Sequence, residues 1–182
     1  MNEGKIAVRY AKALFELSKE KEILEKVIID VKFISQVIKE FPQLTEIIES
    51  PVISNNQKRE TINKIFNNNI QKITLDFLLL IINKGRGNYL NRILHRFVIN
   101  YRQYKNIKEA VITTATPLDA SNKEQIKNSM ETTLNTNVEI IERTDKNIIG
   151  GFIIRVDDTQ YDASVSSNLK NIRRELLKST LN

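Results

Sequence analysis

His95 is the only histidine in the chain, and it stands between Arg92 and Arg96. A histidine that moves protons or activates a nucleophile needs a second group to hold its tautomer and orientation. No such partner is visible nearby in sequence, so His95 reads as a structural or surface residue. Asp157 and Asp158 form a carboxylate pair, the residue type used for acid–base work. Adjacent residues on a strand point to opposite faces, so the pair reads as a turn. One histidine and no cysteine exclude thiolate and histidine-pair metal sites as well as a disulfide framework. The five glycines, at 4, 85, 87, 150 and 151, build no phosphate-binding loop. Gly85-Arg86-Gly87 reads instead as a turn between helices. No catalytic residue, cofactor or metal site is expected.

Three features remain that could bind a partner. The run Phe77-Leu78-Leu79-Leu80-Ile81-Ile82 is apolar on nearly every side of a helix. Such a helix is either central in a bundle or turns one face to a partner. The first helix also carries apolar residues beyond a single stripe: Ile6, Ala7, Val8, Tyr10, Ala11, Ala13, Leu14, Phe15 and Leu17. Each exposed Leu or Ile forgoes roughly 1.5–3 kcal/mol of burial, so a partner is expected to cover some of this surface. The second feature is the acid-free stretch from Lys84 to Lys108, with Lys84, Arg86, Arg92, Arg96, Arg102, Lys105 and Lys108. It is either the solvated face of an amphipathic helix or a nucleic-acid-binding surface, with Tyr89, Tyr101 and Tyr104 as stacking residues. The third is Gly150-Gly151 inside the apolar run Ile148–Val156, where paired glycines mark a bulge or a close backbone approach.

These features must be positioned by a folded scaffold. The chain has 182 residues, 41% hydrophobic and 27% charged, which is the composition of a globular protein with a buried core. The longest strongly apolar run, Phe77–Ile82, is too short to span a bilayer. Arg9, Lys12 and Glu16 interrupt the N-terminal apolar residues, so no signal peptide is expected. Charge is uneven: residues 1–106 carry 18 basic against 11 acidic residues, and residues 107–182 carry 10 against 11. The shift from +7 to −1 suggests two units with different partners.

The fold class expected is α+β overall. Residues 1–106 should form an all-α bundle of five to six helices, and residues 107–182 a small α+β domain. Ile6, Tyr10, Leu14 and Leu17 share one face of a first helix over Gly4–Ser18, with small Ala7 and Ala11 on another side. Val27, Val31, Ile34 and Ile38 mark a second helix, and Pro42 opens a short third one. Ser54 and Gln57 make a capping box for a fourth. A fifth runs from about Ile70 to Lys84 with Gly85 after its end. A sixth starts near Asn88. Beyond the boundary near Lys105–Glu109, strands are expected at Ala110–Ala115, Val138–Glu142, Ile148–Val156 and Gln160–Asp162. A capping box at Ser121–Glu124 should open a helix to Leu134, and Asp162-Ala163-Ser164 should cap a last helix.

In this order, several segments resemble the family of δ subunits of F-type ATP synthases, homologues of the mitochondrial oligomycin-sensitivity-conferring protein. Ala7–Phe15 looks like that family's opening signature. Asn83-Lys84-Gly85-Arg86 and the basic helix after it look like its mid-chain motif. Ala115-Thr116-Pro117-Leu118 looks like its strand-to-helix junction. Ile149–Arg155, followed by Asp162-Ala163-Ser164-Val165 and Leu169, looks like its C-terminal signature. The resemblance covers essentially the whole chain.

The resemblance implies a non-catalytic peripheral-stalk subunit, part of the stator that keeps the catalytic head from turning with the rotor. The helical bundle would receive the N-terminal helix of an α subunit between its first and fifth helices. The residues expected there are Ile6, Tyr10, Ala13 and Leu17, with Leu75, Leu79, Ile82 and Asn83. The C-terminal domain would engage the b subunits, through Leu169, Ile172, Leu176 and Leu177. The protein would hold no cofactor, bind no nucleic acid and insert no segment in the membrane. It would sit peripherally on the cytoplasmic face of a bacterial membrane. The reading that competes with this one is a basic nucleic-acid-binding helical module.

Overall fold

A computed structural model describes residues 3–156 and 158–170. The chain divides into two compact units, Met1–Arg102 and Gln103–Asn182. The architecture is α+β, as the residue pattern predicts, with a helical first unit and a sheet in the second.

The first unit contains α1 (Glu3–Glu20), α2 (Leu24–Glu40), α3 (Pro42–Glu49), α4 (Asn55–Phe66) and α5 (Lys72–Asn83). A 3-10 turn at Gly87–Tyr89 leads into α6 (Leu90–Lys105). Leu14, Val27, Val31, Ile34, Phe66 and Phe97 lie at the centre and are fully buried. Ala7 and Ala11 are buried too, their small side chains letting the neighbouring backbone come close to α1. Phe15 and Phe97 meet edge to face, with centroids 6.0 Å apart.

Local chemistry sets the helix ends. Pro42 opens α3, where its missing N–H costs nothing. Ser54 and Gln57 form the expected reciprocal capping box at α4. Lys58, buried although charged, donates to the carbonyls of Ile48 (2.8 Å) and Ser50 (2.6 Å), satisfying the open end of α3. The start of α5 has no cap of its own. Asp30 on α2 supplies one from outside: its carboxylate accepts from the Gln71 amide (2.9 Å) and the Thr74 hydroxyl (2.6 Å). A negative charge there also complements the helix dipole.

The second unit is a four-stranded sheet with β1 (Ile107–Thr114), β2 (Asn137–Thr144), β3 (Phe152–Val156) and β4 (Thr159–Asp162), in the order β2-β1-β3-β4. β1 and β2 are parallel, so their connection must cross over, and α7 (Ala120–Leu134) makes that crossing. β3 and β4 add antiparallel neighbours. Ala110, Ile112 and Thr114 alternate along β1 and point into the interior.

Several boundaries differ from the sequence reading; β1 begins at Ile107 rather than Ala110, inside the stretch expected as the domain boundary. α7 is capped by Asp119, not Ser121: the Asp119 carboxylate accepts from the Asn122 amide (2.7 Å) and side chain (2.9 Å). An ionised acceptor at a helix N-terminus outcompetes a hydroxyl. β3 begins at Phe152, not Ile148, because Gly151 has φ +80 and leaves the extended region. Gly150-Gly151 instead runs against the start of the last helix, whose described part covers 165–170. The Val165 amide donates to the Gly150 carbonyl (2.9 Å), and the Ala163 amide to Phe152 (3.0 Å). Asp162 accepts from the Ser167 hydroxyl (2.7 Å) and the Ser164 amide (2.9 Å), and these bonds hold its carboxyl below its ordinary range. That cap is intact above the unfolded carboxylate's pKa and is lost as pH falls through the folded value.

Two variants test these joints. Asp30→Ala leaves a part-buried amide and a buried hydroxyl without their acceptor, and urea unfolding should show a loss of about 1–3 kcal/mol. Gly151→Ala would drive a Cβ into the Ala163 carbonyl oxygen at a positive φ. It should lower the melting temperature of the second unit, with strain alone costing about 1–3 kcal/mol.

Candidate protein-binding groove

The end of α5 determines what reaches its neighbour α1. Gly85 follows the helix in the left-handed conformation, φ +63. Its amide donates to the Ile82 carbonyl (2.9 Å) and that of Arg86 to Ile81 (3.0 Å). These paired bonds are the Schellman closure that Gly favours. Gly87 then passes so close to α3 that a Cβ would lie 2.7 Å from both Ile48 Cγ2 and the Ile48 carbonyl oxygen. Arg86, held between two glycines, extends to α1. Its Nη1 donates to the Tyr10 hydroxyl at 2.9 Å, and its guanidinium carbon lies 5.2 Å from the ring centroid. Tyr10 also meets Phe77 of α5 at 6.3 Å between centroids.

Tyr10 so held forms one wall of an apolar groove of about 290 Å³ between α1 and α5. Arg9, Ala13, Leu14 and Leu17 continue the α1 side, and Phe77 and Leu80 form the α5 side. Leu17 and Leu80 are 39% and 44% exposed, a large apolar surface for two leucines.

The residues expected at this groove divide into two groups. Tyr10, Ala13 and Leu17 line it. Ile6 is buried rather than lining the groove. Leu75 and Ile82 are interior, Leu79 is half-buried against the core, and Asn83 is exposed but outside the lining. The α5 residues that form the wall are Phe77 and Leu80. An all-round apolar helix hides its outward face from a hydrophobicity count. The available signal was polar: Asp76 and Asn83 flank Leu80 at i, i+4, i+7, and that stripe faces outward. The residue pattern marks Arg86 as part of a basic stretch and a motif but not as a neighbour of Tyr10, since their contact spans 76 positions.

Of the three tyrosines in the basic stretch, Tyr104 is 50% exposed and the other two are not open for stacking. Tyr89 and Tyr101 pack against the core, and the Tyr101 hydroxyl donates to Glu25 at 2.6 Å. His95 is exposed on α6. Among the described residues no group of acidic or histidine side chains is arranged to hold a metal.

The second unit has a larger groove, about 580 Å³, between α7 and the sheet. Ile126, Met130 and Leu134 face Phe152, Ile154 and Tyr161 across it. No residue of α7 is fully buried, so the helix covers the sheet only in part. Leu169 is 59% exposed. Ile172, Leu176 and Leu177 lie outside the described residues.

The family model for the ATP synthase delta (OSCP) subunit matches residues 6–176. The chain belongs to this family. Relatives agree over their full lengths. The ATP synthase subunit delta of Christiangramia forsetii is 36% identical across 99% of this chain and 97% of its own. That of Cytophaga hutchinsonii is 30% identical with both chains fully covered. That of Prochlorococcus marinus is 32% identical over 96% and 97%. In three dimensions the chain is similar to one in the Toxoplasma gondii mitochondrial ATP synthase hexamer, with TM-score 0.70, 25% identity and coverage of 97% and 98%. Family membership makes the chain a peripheral-stalk subunit of the F-type ATP synthase, and the nucleic-acid reading is not favoured. Among the described residues no helix is long and apolar enough to cross a membrane.

The division between groove and interior can be measured. Leu80→Ser should change unfolding free energy by no more than about 0.5 kcal/mol, as expected for a surface position. Leu75→Ala and Ile82→Ala should each cost about 2–5 kcal/mol, as expected for interior positions. Denaturant titrations of the three variants check the assignment.

Proposed function

We propose that this subunit joins the stationary parts of the synthase without taking part in the chemistry. The groove between α1 and α5 receives the amphipathic N-terminal helix of an α subunit, fixing the bundle to the catalytic head. The second unit engages the b subunits, with the α7–sheet groove and Leu169 on its accessible surface. The complex lies on the cytoplasmic face of a bacterial membrane, where b carries the attachment. Held at both ends, the subunit keeps the head from following the rotor.

The observation that carries this reading is the apolar groove with Leu17 and Leu80 exposed on its opposite walls. A helix burying one apolar stripe there would gain roughly 1.5–3 kcal/mol for each large side chain removed from water. That term does not depend on ionic strength, so most of the affinity should persist in salt. Nucleic-acid binding would behave oppositely, collapsing as counterion release loses its advantage.

The test is calorimetric titration of the whole chain with a peptide copying the N-terminus of the same organism's α subunit, at low and high salt. Binding that persists in high salt is expected. Leu80→Glu should weaken it by at least about tenfold, because a carboxylate would be buried against apolar atoms, while the circular dichroism stays helical. A peptide that fails to bind the unmodified chain, or binds Leu80→Glu equally well, would refute the groove assignment.

A further inference from the structure

Apolar burial accounts for a helix entering the α1–α5 groove, but it does not set the register or the direction of that helix. At its Tyr10 end the groove meets two cations: Arg9, in its lining, and Arg86, which lies outside the lining and bonds to the Tyr10 hydroxyl. The Arg86 guanidinium carbon lies 5.2 Å from the Tyr10 ring centroid and that of Arg9 lies 6.0 Å from it. Two positive charges therefore flank one phenol. Because Arg86 donates to the Tyr10 oxygen, the phenol's own O–H remains to be given to an acceptor. The other N–H groups of Arg86 likewise need acceptors. Among the described residues neither Arg9 nor Arg86 pairs with a carboxylate. The remaining lining, Ala13, Leu14, Leu17, Phe77 and Leu80, is uncharged.

A helix seated in the groove would shield this end from water. Shielding two guanidinium groups and a phenol without an acceptor is unfavourable, and a carboxylate supplies the missing acceptor and charge. The donors are also preorganised. The Schellman closure of α5, the left-handed Gly85 and the tight passage of Gly87 over Ile48 fix the backbone that carries Arg86.

We infer that the groove selects an amphipathic helix bearing a carboxylate at the turn that packs against Tyr10, with Arg9 and Arg86 as its specificity-determining partners. The inference rests on the reading of this groove as the receptor for a head-subunit helix. It adds what sets the register: the carboxylate anchors one end of the apolar stripe.

A double-mutant cycle tests it. The probes are the α-subunit N-terminal peptide of the same organism and a set in which each Glu or Asp is changed singly to Gln or Asn. Each is titrated calorimetrically into the unmodified chain, Arg9→Gln and Arg86→Gln. One neutralised position should weaken binding to the unmodified chain about three- to tenfold, the scale of a partly shielded ion pair. The same change should have little effect on binding to Arg86→Gln or Arg9→Gln. Arg86→Lys, which keeps the charge but loses the fork and the ring contact, should retain only part of the coupling. If Arg86→Gln loses its helical circular dichroism, Arg9→Gln, on the surface of α1, supplies the cycle. The inference is overturned if all neutralised peptides bind within about twofold of the original, or if the loss is the same with and without the arginines. In either case the helix-receptor reading survives, because the original peptide binds. Absence of any binding by the original peptide would remove both.

Discussion

The structure of the first unit depends on α5, a helix too apolar to be left in water. Phe77, Leu78, Ile81 and Ile82 are all buried, so the other helices must surround it. Its two ends then have to be closed from within the bundle. Asp30 reaches across from α2 to close the N-terminus, and Gly85 closes the C-terminus by leaving the helical conformation. A helix so enclosed has one face left, and that face carries Asp76, Leu80 and Asn83. Leu80 is the apolar member of an otherwise polar stripe, and it becomes a wall of the groove.

The way α5 ends also decides how the groove's α1 wall is held. The Schellman closure sends the chain back toward α1 at Arg86, and Gly87 keeps it pressed to α3. Without that turn Tyr10 would have no fixed partner at its hydroxyl. With it, the Tyr10 wall of the apolar groove is bonded to the turn that closes α5.

The second unit uses a different solution. Its crossing helix α7 has no fully buried residue and leaves part of the sheet open beside Phe152 and Ile154. The chain after β4 is tied down by backbone bonds to Gly150 and Phe152 and by the Asp162–Ser164–Ser167 cap. The glycine pair is needed because Gly151 lies where any side chain would strike Ala163. An accessible apolar surface therefore exists in each unit, one between helices and one between a helix and the sheet.

Much of this was legible in the residues because it depends on short-range rules. Helix periodicity marked α1 to α6, the Ser54–Gln57 box marked the start of α4, and Gly85 marked the end of α5. β-branched runs marked the strands, and four short signatures in order marked the family. Competition between neighbouring signals was harder to judge: Asp119 took the cap that Ser121 was expected to hold, and Gly151 shortened β3 from within an apolar run. The orientation of α5 was illegible, since Leu75, Leu79 and Ile82 are as hydrophobic as Phe77 and Leu80. Local pattern reports how apolar each residue is but not which way it faces once several helices compete for it. The sequence by itself determined the elements, their order and the class of surface they would expose. Only the tertiary structure decided which leucines stayed in contact with water and that Arg86 would meet Tyr10, because both follow from packing between residues far apart in the chain.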